Sequence, residues 1–265
     1  MQPELPSRPP AAETPDMIEV CEQGAVTVVR MADGKANLMN IEFCALLAER
    51  FAQIGASPAS AVVLTGSGGI FSAGVDLLRL LDGGVPYIHK FLPVLSNALA
   101  TVFECAKPVV AAINGHAIAG GCVLACAADK RLMAREGGRM GVTELLVGVP
   151  FPAAALEIMR CAVAPRHFED VMFSGTTFSP AQAAERGMVH EITEPDVLLA
   201  RAIACAKTLA ALPPSVFALT KRQSRQPALE RLKKDTTRTE VEQIWTAPET
   251  LARIRDYVAR TLRKS

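Results

Sequence analysis

The 265-residue sequence has almost no charge of one sign in excess: 28 Lys and Arg stand against 27 Asp and Glu, a net of +1. A near-neutral chain offers no footprint for a polyanion, so nucleic acid is not an expected partner. An even cysteine framework is also missing. The seven cysteines, Cys21, Cys44, Cys105, Cys122, Cys126, Cys161 and Cys205, cannot all pair. A chain of this length needs no staples, so a reducing, cytoplasmic compartment is expected. The uncharged stretch at residues 108–128, PVVAAINGHAIAGGCVLACAA, is long enough to span a bilayer. Pro108, Asn114, Gly115, Gly120 and Gly121 break it where lipid could not satisfy the freed backbone groups, so no membrane partner is expected.

Several enzyme signatures are absent as well. Gly69 and Gly74 have the spacing of a phosphate loop, but Val75 and Asp76 follow where Lys and Ser/Thr are required. Gly115 and Gly120 fail the same test, being followed by Gly121 and Cys122. The glycines at 66, 68 and 69 lack the third member of a dinucleotide fingerprint, because Phe71 stands there. No G-x-S-x-G elbow and no H-E-x-x-H occurs. Cys122 and Cys126 lie one helical turn apart and could meet a metal with His116, but buried cysteines on a core helix are the commoner outcome; no metal is expected.

What is present is half apolar and 21% charged, the balance of a soluble globular enzyme. Residues 1–16 carry five prolines and no apolar run, and read as a flexible tail. Beyond them, β-branched runs alternate with helical patterns. Strands are predicted at 25–30, 61–65, 109–113, 130–134 and 139–144. A helix opens near Asn40, with Phe43, Leu47, Phe51 and Ile54 on one face; others run through Leu81, from Tyr87 to Ala106, and from Gly120 to Ala128. The β-then-α order predicts an α/β fold with a largely parallel sheet over residues 17–195. Residues 196–265 read as helices only. Leu251, Ile254, Val258 and Leu262 make a stripe there that either docks on another copy or packs on its own domain.

Two glycine-rich turns, FSAGVD (71–76) and NGHAIAGGC (114–122), each join an apolar strand to a helix. Such turns present unpaired peptide N–H groups. If both face one point, the N–H groups of Val75 and Gly120 could hold a developing oxyanion. Alternatively, the glycines only let helices pack closely on strands.

The segments GKANLMN (34–40), LTGSGGIFSAGVDL (64–77), KPVVAAINGHAIAGGCVLACAADKRLMA (107–134), GVTELLVG (141–148) and FSGTTFSPAQAAERGMVHEI (173–192) resemble, in order, the enoyl-CoA hydratase/isomerase or crotonase family. The resemblance covers about residues 25–192. It implies a ββα-spiral core, a helical trimerisation region at 196–265, a homotrimer or dimer of trimers, and an acyl-CoA thioester substrate. Coenzyme A is then part of the substrate and no further cofactor is needed. Val75 and Gly120 take the family's two oxyanion positions. Lys35, Ala36, Ser72 and Ala73 lie where the family's backbone grips CoA, and Arg260 is the candidate for its phosphates. His89 and Val123 are candidates for the acyl pocket.

In family hydratases two glutamates flank C2 and C3 of the acyl chain. One position here is Glu144; the other, three residues after Gly120, is Val123. An aspartate that some family isomerases carry eight residues beyond the first glutamate is replaced by Pro152. One carboxylate suffices to move a proton between carbons, whereas syn-hydration needs a partner. The resemblance therefore implies a single-glutamate enoyl-CoA isomerase. The other readings are a hydratase recruiting Glu157 or His116, a catalytically silent acyl-CoA binder, and hydrolysis through Ser72. Asp76 is expected to cap the next helix.

Overall fold

Chain order alternates short extended runs with amphipathic helices in a computed structural model that describes residues 17–262; the expected tail at 1–16 lies outside them. β1 (Ile18–Gln23) turns back antiparallel on β2 (Val26–Met31), and β3 (Leu38–Met39) leads into α1 (Ile41–Ala56). Asn40 caps that helix by accepting the Phe43 N–H at 2.8 Å, and the predicted stripe from Phe43 to Ile54 is buried. β4 (Ala61–Gly66), β5 (Ile70–Ser72) and β6 (Gly74–Val75) precede α2 (Leu77–Glu104), whose first turn is capped by the Asp76 carboxylate. A non-helical Gly84 divides α2 into the two predicted helices.

The uncharged stretch becomes β7 (Val109–Ile113), β8 (His116–Ile118) and α3 (Gly120–Cys126). Among the described residues no single helix is long and apolar enough to cross a membrane. β9 (Lys130–Ala134) and β10 (Met140–Gly141) follow. The strand predicted at 139–144 is thus corrected to two residues, because Glu144 already opens α4 (Glu144–Val147). Then come α5 (Ala153–Ala162), α6 (Phe168–Ser174), α7 (Pro180–Glu185) and β11 (Glu191–Thr193). α8 (Leu198–Ala210), α9 (Pro214–Lys233), α10 (Arg238–Thr246) and α11 (Pro248–Leu262) complete the described chain.

The main sheet runs β1-β2-β4-β7-β9-β11 and is parallel from β2 onward. Its central strands β4 and β7 are near-continuous apolar runs because both faces are covered. Val29, Val62, Leu64, Ala111 and Ile113 face the large core with α1, α2 and α3. Val28, Val63, Val110 and Ala112 face Leu198, Ala202 and Ala206 of α8. The C-terminal helices are therefore no separate body. The stripe of Leu251, Ile254 and Val258 packs on α2 and α4 of its own chain. Two smaller parallel sheets, β10-β8-β5 and β3-β6, sit at the ends of the spiral turns and carry the glycine-rich segments.

Candidate active site

The first glycine-rich turn is fixed by the loop before β3. Asn37 is 1% exposed with φ +47°, a left-handed conformation that asparagine tolerates better than most residues. Its Nδ2 donates to the carbonyls of Ile70 (3.3 Å) and Phe71 (3.0 Å), while its Oδ1 accepts the Asp33 N–H at 2.9 Å. Ser72 Oγ donates to the Asn37 carbonyl at 2.8 Å and accepts the Gly74 N–H at 3.1 Å; the Ala73 N–H donates to Ala36 O at 2.9 Å. These bonds lock Gly74 and Val75 against the loop.

The second turn arrives on the same point. A Cβ placed on Gly74, whose φ is +87°, would lie 2.7 Å from Ile118 O and 3.0 Å from the amide nitrogen of Gly120. From the other side, a Cβ on Gly120 would lie 3.7 Å from both Gly74 Cα and Val75 Cγ2. The two turns thus converge, with Gly74 and Gly120 in close approach and the Met39 sulfur 3.1 Å from the Gly120 Cβ position. Ala119, just before Gly120, has φ +51° and ψ −124°, a conformation glycine prefers. That strain, on the order of 1–3 kcal/mol, sits at the entrance to α3. The Ala119 N–H donates to Gly141 O at 2.8 Å, which ties the turn to β10.

Glu144 lies three residues after Gly141, so its Cα is within about 11 Å of that carbonyl. Its backbone oxygen is held by the N–H groups of Gly148 (2.9 Å) and Val149 (3.0 Å). Its side chain is treated differently. Glu144 is only 9% exposed, and its buried Oε2 has no hydrogen-bond partner among the described residues. Burial pushes its pKa from 4.5 up to about 7, against a lesser opposing effect of the Glu144 and Thr143 backbone N–H groups. The carboxylate's field reaches α3. The Cys122 thiol is raised first by its hydrogen bond with Cys126 and by burial, and Glu144 adds to that. Val123, next to Cys122, is fully buried.

The other sequence candidates are placed as follows. Lys35 is exposed and Ala36 and Ala73 are half-buried beside the first turn. Ser72 is fully buried with its hydroxyl engaged as a loop tie, so it is unfit as a nucleophile. His89 is exposed on α2 while Ile88 and Phe91 are fully buried, so the inward face of that helix is aliphatic and aromatic. Arg260 is exposed near the end of α11, its Nε donating to Asp256 O at 3.2 Å on its own helix. Glu157 is buried but bonded to Arg231 at 2.6 and 2.8 Å, and His116 is exposed. Glu157 is thus no free second base.

Sequence reasoning passed over Asn37 and Gly141, although both stood inside quoted motifs. An asparagine preceded by a glycine loop was the only signal of a left-handed position. The bond to Ser72 makes a test. Ser72→Ala should cost about 1–2 kcal/mol of stability, read as a fall in denaturation midpoint.

A model of the enoyl-CoA hydratase/isomerase family matches residues 21–252. A Thermus thermophilus protein named as an enoyl-CoA hydratase is 34% identical over 210 residues, 77% of this chain and 82% of that protein. The mouse mitochondrial enoyl-CoA delta isomerase 1 is 30% identical over 165 residues, 62% of this chain and 57% of its own length. Among solved structures, a Mycobacterium tuberculosis protein named as an enoyl-CoA hydratase superposes with a TM-score of 0.81 at 30% identity, over 86% of this chain and 97% of that one.

Proposed function

The chain belongs to the enoyl-CoA hydratase/isomerase family, and from that premise we propose that it moves the double bond of a 3-enoyl-CoA to the 2-position with Glu144 as its one acid–base group. The thioester oxygen accepts the peptide N–H groups of Val75 and Gly120. Their dipoles stabilise the negative charge that develops there, on the order of 3 kcal/mol per donor. The carboxylate of Glu144 removes a proton from C2, and the electron pair delocalises through the carbonyl and the 3,4-double bond. The same carboxyl returns the proton to C4, leaving the double bond between C2 and C3. Lys35, Ala36 and Ala73 are proposed to lie along the CoA moiety.

The observation that carries this reading is the solitary state of Glu144 among the described residues: a buried carboxylate oxygen without a partner, near an α3 whose matching position is apolar Val123. Hydration would need a second polar group to position and deprotonate water. Glu157 is neutralised by Arg231, and Pro152 offers no side-chain proton acceptor. Purified protein given 3-enoyl-CoA and 2-enoyl-CoA substrates tests this directly. Isomerisation should exceed hydration at least tenfold; rapid hydration of the 2-enoyl substrate would overturn it.

The raised pKa fixes the pH dependence. The base form is the carboxylate, so kcat/KM on a 3-enoyl-CoA should rise with pH and level off above about 7. Below that point it should fall about tenfold per pH unit. A profile flat from pH 5 to 8 would place the working base elsewhere.

A further inference from the structure

A cavity of about 550 Å³ lies between the end of α3, the start of β9 and the facing side of α9, and its lining includes none of Val75, Gly120 or Glu144. Its wall carries four cations, Lys130, Arg131, Lys221 and Arg225, against one carboxylate, Asp129. That carboxylate is fully engaged. Its Oδ2 accepts Lys221 Nζ at 2.7 Å and the Val109 N–H at 2.8 Å, and its Oδ1 accepts Arg225 Nη2 at 2.7 Å.

Arg131 is the informative member. It is 6% exposed, and its guanidinium donates to the carbonyls of Met188, Ala128 and Gly187 and approaches His190 Nε2 at 3.3 Å. No carboxylate is among these partners. Carbonyl oxygens satisfy its hydrogen bonds, and the favourable influence of Asp129 on its charge comes from a carboxylate already bonded to Lys221 and Arg225, so desolvation prevails in this low-dielectric wall. His190 does not compensate: burial, then Arg131 and Lys130, hold its pKa down at about 4, so it is neutral at pH 7. A concave wall with three positive charges in excess focuses field into the cavity. Thr220 adds a hydroxyl group to the same wall, where Ser224 Oγ is engaged in donating to Lys221 O at 3.2 Å.

We propose that this cavity is a binding site for a small phosphate-class anion, separate from the thioester site. Arg and Lys charges with a hydroxyl donor suit tetrahedral oxyanions. Lys130, exposed at the start of β9, and Thr220, exposed on α9, are placed to meet the anion without disturbing the Asp129 bonds.

The experiment measures thermal unfolding and calorimetric binding of the full chain with inorganic phosphate and pyrophosphate, against sodium chloride at equal ionic strength. At phosphate about 100-fold above its Kd, the melting temperature should rise by about 5 °C more than in chloride. Thr220→Glu, which adds a negative charge on an exposed wall position, should weaken phosphate binding at least tenfold. Lys130→Gln should weaken it less, and both variants should keep wild-type turnover. The proposal is overturned if phosphate does no more than chloride, or if Thr220→Glu binds phosphate as wild type does. It is equally overturned if phosphate raises KM for the acyl-CoA in competitive fashion, since the anion would then sit in the thioester groove.

Discussion

Glu144→Gln should lower kcat on a 3-enoyl-CoA by about a thousandfold and at the same time make the protein more stable at pH 8. The first effect follows from removing the proposed proton carrier, since positioned acid–base groups contribute roughly 10²–10⁴-fold. The second follows from linkage. The folded-state pKa is about 7 against 4.5 for the free side chain. Between those values the folded chain holds a proton that the unfolded chain has released, so stability falls as pH rises through that window. The penalty is absent below about 4.5 and complete above about 7, on the order of 3 kcal/mol. Glutamine never ionises and escapes it, although its amide brings donors into a site built around an unpartnered oxygen. Melting at pH 8 should therefore rise by a few degrees relative to wild type, and the gain should vanish at pH 4.5. A variant that is both inactive and equally destabilised at both pH values would mean that Glu144 is structural.

Gly74→Ala should produce the second-largest loss, through the backbone. A methyl group there meets Ile118 O at 2.7 Å and the Gly120 nitrogen at 3.0 Å, and a φ of +87° is strained for alanine. The two turns must separate to admit it, which would disrupt the oxyanion site proposed for the N–H groups of Val75 and Gly120. Loss of such a donor costs about 10²–10³-fold in kcat. Gly68→Ala is the control. Gly68 also has a positive φ, +58°, but a Cβ there meets nothing within 4 Å. It should share the conformational penalty of about 1 kcal/mol and keep near-normal turnover. Equal activity losses in the two variants would mean that convergence of the turns is not what matters.

The alternation of apolar runs and helical stripes made the parallel sheet, α1 and the two halves of α2 legible in the sequence, because both-face burial leaves β4 and β7 almost free of polar residues. The short edges were not legible. β3, β6 and β10 have two residues each, too few to show a period, and their pairing depends on distant partners such as Leu38 with Gly74. The site followed the same division. The turns and Glu144 could be placed from motifs, but the inward hydroxyl of Ser72 and the outward ring of His89 are set by tertiary packing that one residue type cannot announce. The ion pair that occupies Glu157 joins residues 74 positions apart and has no local signature. The stripe on α11 was readable as a stripe, but its partner, the face of α2 and α4, was not.

The most direct measurement follows the proton itself. A 3-enoyl-CoA labelled with deuterium at C2 is converted in ordinary water, and the product is analysed by mass spectrometry and NMR. A single carboxyl group shuttling between two carbons in a buried site predicts 2-enoyl-CoA carrying part of the label at C4, with no 3-hydroxyacyl-CoA. Accumulation of the 3-hydroxyacyl thioester as the main product, at a rate that Glu144→Gln leaves unchanged, would contradict it.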